Sequence, residues 1–368
     1  MEKVRAFLAR KNITFSAKRY FIDAMSAMAQ GLFCTLLVGT ILDTIGKQFG
    51  IGFLTDTFLT ITQNKVTFYY TIGGFCSLMV GPAMAVAIGK ALEAPPLVLF
   101  SLITVGFATN VLGGTGGPLA VFFVAILAAE VGKAVSKETK IDILVTPVVT
   151  ILAGIGFAAL VARPIGAAAY SVGNAIMWAT ELQPFFMGIL VSVIIGVALT
   201  LPISSAAICA SFGLTGLAGG AAVAGCCAQM VGFAVMSFRE NGWGGLVAQG
   251  VGTSMLQMPN IVKNPRIWIP PTLASAITGP LATCLFHLEM NGTAVSSGMG
   301  TCGFVGQIGI YTGWVNDIAG GAKTAVTAMD WAGMVLICFV LPAVLSWIFC
   351  ALLRKWGWIK ENDLKLEL

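Results

Sequence analysis

Residues 286–306 read FHLEMNGTAVSSGMGTCGFVG and hold the single histidine of the chain, His287, with Glu289, Asn291 and Thr293 at the following alternate positions. In extended backbone, alternate side chains share a face, so an imidazole, a carboxylate and an amide would point the same way. A carboxylate accepts hydrogen bonds, an amide donates and accepts, and imidazole does either. Such a face suits the hydroxyls of a neutral polyol, or a protonatable solute, better than a bare anion. The competing reading is that Glu289 ends a helix at a hydrated interface with His287 beside it. The glycines that follow disfavour a stable helix and suggest a re-entrant turn.

Three other stretches carry polar groups in otherwise apolar surroundings. TNVLGGTGGPLA offers Asn110 and Thr115 among glycines that allow close backbone approach, but it lacks the lysine of a phosphate loop. TLPISSAAICASFG places Ser204 and Ser205 after the helix-breaking Pro202; their hydroxyls either meet a solute or bond back to helix carbonyls. GVGTSMLQMPNIVKNPRIWIPP, stiffened by prolines, carries Gln257 and Asn260, which either line a path or solvate a loop. The candidate solute-binding set is therefore Asn110, Thr115, Ser204, Ser205, Gln257, Asn260, His287, Glu289, Asn291 and Thr293. Asp23, Asp43, Glu130 and Asp330 sit at the ends of apolar runs and read as boundary charges. The nine cysteines lie singly, or as the Cys226–Cys227 pair, without metal or redox spacing. With one histidine and no nucleophile or metal cluster, neither a metal, a cofactor nor an enzymatic centre is expected.

The elements that must position these residues are membrane helices. Of 368 residues 57% are hydrophobic and 10% charged, against about 25% charged in soluble domains. A bilayer core takes about 20 apolar residues per helix, and charges at its centre are costly, so gaps between charges can be read as spans. Such gaps run from Asp23 to Asp43, Lys65 to Lys90, Asp142 to Arg163, Arg266 to Glu289 and Asp330 to Arg354. The intervals Glu93–Glu130 and Glu181–Arg239 each require two helices joined by irregular backbone, and Arg163–Pro184 reads as an interfacial helix. The expected fold is an all-α polytopic membrane protein with about ten transmembrane helices and re-entrant or broken segments. Irregular backbone at membrane depth is tolerated only where protein or a wet cavity surrounds it.

Lysine and arginine enrichment orients such a chain. The first 20 residues carry six Lys or Arg, GKAVSKETK at 132–140 three lysines, and LLRKWGWIKENDLKLEL four basic residues. All three are expected to face the cytoplasm. Positive-inside topology explains these charges, and no nucleic-acid partner is expected. The organisation is thus a basic amphipathic segment at 1–20, a transmembrane transport domain at 21–353 and a cytoplasmic tail at 354–368.

Four stretches, KIDILVTPVVTILAG, ALTLPISSAAICASFG, KNPRIWIPPTLASAITGPLA and NGTAVSSGMGTCGFVG, resemble the membrane-embedded IIC component of the bacterial phosphotransferase system. The likeness is nearest to the stand-alone IIC family that includes perfringolysin-type regulators. Pro202, Ala206 and Ala207 keep the spacing of the fructose-type Gly-Gly-Pro-x-Asn-Lys-Ala-Ala motif, with Ser204 and Ser205 replacing Asn and Lys. The resemblance implies a homodimeric inner-membrane permease for a sugar or related compound, with re-entrant segments holding the ligand and Glu289 and His287 meeting its hydroxyls. It also implies separate IIA and IIB proteins for any phosphorylation. The alternative is a membrane-embedded solute sensor that binds without transporting.

Overall fold

The structure is a computed structural model describing residues 2–63, 66–321 and 323–366; Met1, Glu367 and Leu368, at the ends of the expected terminal segments, lie outside them. Among the described residues the regular elements are helices apart from a two-stranded antiparallel hairpin, Leu59–Gln63 with Val66–Tyr70, paired in the register Leu59 to Tyr70, and an isolated bridge between Gly216 and Met290.

The span count departs from expectation. Among the described residues five helices are long and apolar enough to cross a membrane: Arg19–Lys47, Pro96–Val135, Asp142–Thr180, Gly216–Met236 and Ala328–Lys355. A sixth is added if Ile72–Leu78 and Val80–Ala91, bent by 49° at their joint, form one span. The expectation of about ten is therefore wrong. Charge gaps measure apolar content, whereas a span also needs unbroken helix. Within Glu181–Arg239, the helix Pro184–Thr200 stops at 17 residues before Pro202, and a seven-residue helix, Ser205–Ser211, follows. Within Arg266–Glu289, the helix Ile269–Pro280 has 12 residues and then widens into a π-turn. The boundary set at Arg163 also fails, because one 39-residue helix continues through it from Asp142 to Thr180.

The chain divides into two compact units. The first comprises residues 1–43 and 52–168. Its helices pack through small residues: a β-carbon at Gly81 would overlap the Gly106 carbonyl, and one at Gly106 the Gly81 carbonyl, the close approach that favours glycine between membrane helices. Gly114, at φ +53, interrupts Pro96–Val135 and turns the chain so that Asn110 packs against Gly117. At one end of this unit three helix C-termini meet. Lys133 Nζ and Arg19 Nη2 both donate to the Leu92 carbonyl, at 3.0 and 2.6 Å, and Lys11 donates to the Ser136 carbonyl. Helix C-termini leave carbonyls unpaired and carry partial negative charge; the cations gathered there answer both.

The second unit comprises residues 44–51 and 169–368. Its centre is the helix Gly216–Met236, whose most apolar window is 94% buried, against 22% for Asp142–Thr180. Its sequence explains why. GLAGGAAVAGCC gives up helix propensity at each glycine but admits neighbours to the backbone. A β-carbon at Gly225 would strike the Ser192 carbonyl, and one at Gly220 the Leu288 carbonyl. The non-helical segment 288–290 and the turn 296–302 are thereby pressed onto this helix.

Candidate solute-binding site

The stretch that carries Ser204 and Ser205 and the stretch 286–306 come together in the second unit. Gly216 and Met290 exchange backbone hydrogen bonds at 3.0 and 2.9 Å. Ser205 Oγ donates to the Gly298 carbonyl at 2.8 Å, and Ser297 Oγ to the Leu214 carbonyl at 2.6 Å. The turn these bonds hold is buried from Ser296 through Cys302, so its backbone is enclosed in protein as irregular membrane segments require. Ser204 caps the short helix after Pro202, accepting from the Ala207 amide at 3.1 Å. Both serines thus bond to backbone, the architectural alternative for their hydroxyls.

The extended pattern at 288–291 is clear. Leu288 and Met290 are buried in a cluster with Val223, Cys227, Ile310, Trp314 and Cys338, and the intervening Glu289 is exposed. Asn291 joins Glu289: its Nδ2 donates to Glu289 Oε2 at 3.0 Å and also to Asp317 Oδ2 at 3.0 Å. One amide therefore bridges two carboxylates. Glu289 Oε1, Asp317 Oδ1 and Asn291 Oδ1 receive no donor among the described residues. His287 departs from the shared face. At φ +45 it occupies a left-handed turn rather than extended backbone, a strained conformation for a non-glycine residue, and its imidazole is exposed. Thr293 lies next along the chain, its Oγ1 at 3.0 Å from Ser296 Oγ.

Asp317 was missed by the sequence reading, although it sits three residues after Trp314 on the helix Val305–Ala319, a spacing that shares a helix face. Gly313 of that helix packs directly against Asn291. Around Trp314 stand Trp331, at 5.3 Å between ring centroids, and Tyr311, at 6.5 Å; both are partly exposed. Lys323 lies over the Trp314 ring at 5.5 Å and pairs with Asp330 at 2.6 Å. The patch thus combines uncommitted acceptors with exposed aromatic faces.

Gln257 and Asn260 belong to a different network of the second unit. Gln249 Nε2 donates to Ser237 Oγ at 2.9 Å, Gln257 Nε2 to Gln249 Oε1 at 2.8 Å, and Asn260 Nδ2 to Gln257 Oε1 at 2.9 Å. Their remaining N–H groups reach the carbonyls of Leu364 and Lys365 at 3.0 and 2.9 Å. Asn110 and Thr115 lie in the first unit, half-buried at the Gly114 turn. Among the described residues no group of three or more His, Cys, Asp or Glu could hold a metal ion.

A family model described as Phosphotransferase system, EIIC matches residues 22–366. A search of curated proteins finds no match, and neither does a search of solved structures. The family match covers nearly the whole chain and agrees with its long apolar helices. The functional consequences are those of a permease: a multi-pass inner-membrane transport protein, with a solute and the bilayer as partners, that is not itself a catalytic subunit. The chain belongs to the EIIC family of the phosphotransferase system.

Proposed function

We propose that this permease carries a sugar or related polyhydroxylated solute, held at the patch of Glu289, Asn291 and Asp317 with His287 and Thr293 beside it. The observation that carries the reading is the single Asn291 amide shared by two carboxylates. It holds both acids in place and leaves an oxygen of each to accept from a ligand hydroxyl. Hydrogen bonds to charged acceptors are each worth about 1.5–3 kcal/mol, so two well-placed hydroxyls suffice for selective binding. Tyr311 and Trp331 offer faces for the apolar side of a sugar ring.

The same proposal takes the permease as a homodimer served by separate IIA and IIB proteins, with both termini cytoplasmic. Contacts within the first unit support the N-terminal placement. Arg10 and Lys11 pair with Glu138 at 2.7 and 2.5 Å, which puts the basic lead-in beside the lysine-rich turn at 132–140. The terminal segments 1–20 and 354–368 then flank the transport domain 21–353. Two experiments test this. A thermal-shift screen of purified protein against sugars, polyols, nucleosides and small acids should find its stabilising ligand among the polyhydroxylated compounds, since a ligand of the folded state raises stability by mass action. Uptake of that ligand into proteoliposomes, with mass analysis of the imported form, separates a carrier from a sensor. Stabilisation only by compounds lacking hydroxyls would defeat the sugar reading.

A further inference from the structure

The amides at one end of the second unit are engaged by the chain's own tail. After the helix Leu341–Lys355, Gly357 at φ +74 and Asn362 at φ +66 turn the chain back. The returning segment then meets four side-chain amides. Asn241 treats it as a neighbouring strand would: its Nδ2 donates to the Leu364 carbonyl and its Oδ1 accepts from the Leu366 amide, both at 2.8 Å. Gln257 donates to the same Leu364 carbonyl, and Asn260 to that of Lys365. Asn264 Nδ2 reaches the Trp358 carbonyl at 2.9 Å and Asp363 Oδ2 at 2.8 Å. Two apolar residues anchor the segment, Leu364 at 0% and Ile359 at 2% exposed, and Arg266 covers the Trp358 ring at 5.1 Å.

Nearly all of these bonds go to backbone atoms, so the amides hold a turned main chain with a buried leucine at one position. The four amides also come from separate pieces of chain: Asn241 from the helix Phe238–Val247, Gln257 and Asn260 from the broken segment 254–263, and Asn264 from the turn after it. The tail staples all of them to the end of the C-terminal helix. Displacement of residues 238–264 relative to that helix must break these bonds, and departure of the tail leaves N–H donors of Gln257 and Asn260 unpaired.

We propose that Asn241, Gln257, Asn260 and Asn264 form a peptide-binding groove whose ligand is the chain's own segment Trp358–Leu366, and that its docking restrains transport by tying residues 238–264 to the C-terminal helix. The second half rests on the permease reading above; the groove itself does not. The first test uses the full-length protein and Leu364→Ser, which removes the buried anchor. Trypsin should cleave the variant at Lys360 at least tenfold faster than the wild type, and its solute uptake in proteoliposomes should rise several-fold. The second uses the chain ending at Lys355 and a fluorescent synthetic peptide, GWIKENDLKLEL. The peptide should bind the shortened protein, not the full chain, and should return uptake to the slower rate; a scrambled peptide should do neither.

Failure of the peptide to bind folded shortened protein, or unchanged cleavage at Lys360 in Leu364→Ser, overturns the groove. Released tail with unchanged or slower uptake overturns the restraint alone. Absence of uptake from every variant, with the cleavage and peptide results intact, counts against the permease reading and leaves the groove standing. Should the shortened chain fail to fold, the full-length Leu364→Ser protein still decides both halves.

Discussion

Two polar regions of the second unit make opposite use of the same kinds of residue. In the network Gln249–Gln257–Asn260 every amide hydrogen has a partner, and the last two acceptors are supplied by the tail. At Glu289–Asn291–Asp317 one amide serves two acids, and among the described residues three oxygens are left without a donor. Both regions are polar within apolar sequence, yet one is rich in amides and saturated, and the other has a single amide for two acids and is short of donors. Polar content alone therefore does not single out the proposed binding site; the proposal rests on unspent hydrogen-bonding capacity.

The comparison can be broken most forcefully at the helix supporting the open patch. Gly220→Val drives a side chain into the Leu288 carbonyl and is expected to displace the segment 288–290, costing about 3 kcal/mol or more. Little folded protein should survive size-exclusion chromatography, whereas Gly244→Ala, with nothing within 4 Å of a new β-carbon, should behave as wild type. A smaller effect is expected from Glu289→Gln, which keeps the shape and removes the charge. Solute affinity should fall by roughly 10- to 100-fold, the equivalent of about 1.5–3 kcal/mol. Asp43→Asn is the control, because that carboxylate accepts from Thr71 Oγ1 at 2.8 Å in the first unit, and calorimetric titration should find its affinity unchanged. Equal losses in the two variants would remove the open patch from the site.

Gln249→Leu probes the saturated network. It leaves a Gln257 N–H and the Ser237 hydroxyl without their buried partner, so stability should drop by about 1–3 kcal/mol while solute affinity holds. A drop in affinity of the size seen for Glu289→Gln would erase the distinction between the regions. Away from both, Lys11 and then Arg10 hold the Glu138 carboxyl below its usual range. A depressed carboxylate stabilises the folded form above its unfolded pKa, and that contribution disappears as pH falls through the lower folded value. Proteolytic release of the N-terminal helix should therefore set in as pH falls through the ordinary glutamate range and be complete below the depressed folded value, and in Glu138→Gln this pH dependence should shrink. The smallest effect is expected at His287, where glycine relieves the left-handed backbone but gains unfolded-state freedom. His287→Gly should change thermal stability by under about 1 kcal/mol, and a clear loss of solute affinity would show that the imidazole belongs to the patch.

Much of the broken architecture was legible. Pro202 and the glycines of 213–220 announced the interruptions that separate Pro184–Thr200 from Gly216–Met236, because proline and glycine act through local backbone energies that need no tertiary partner. The alternation at Glu289 and Asn291 was legible from its period of two, and Leu288 and Met290, buried on either side of Glu289, agree with it, whereas His287 turns away from it. The number of spans was not, since a charge gap cannot report whether the helix inside it is continuous. Asp317 was not legible either: 26 residues separate it from Asn291, and only the packing of Gly313 against Asn291 brings the two together.

The sequence by itself determined that this chain lives in a bilayer, which residues are polar within it, and that Pro202 and the glycines of 213–220 break its helices, all consequences of side-chain transfer energies and local dihedral preference. Which polar groups are already satisfied was decided by tertiary structure alone. A hydrogen bond between Gln257 and the Leu364 carbonyl spans 107 residues, and no local signal tells an amide whether its partner will be a solute, a helix or its own tail.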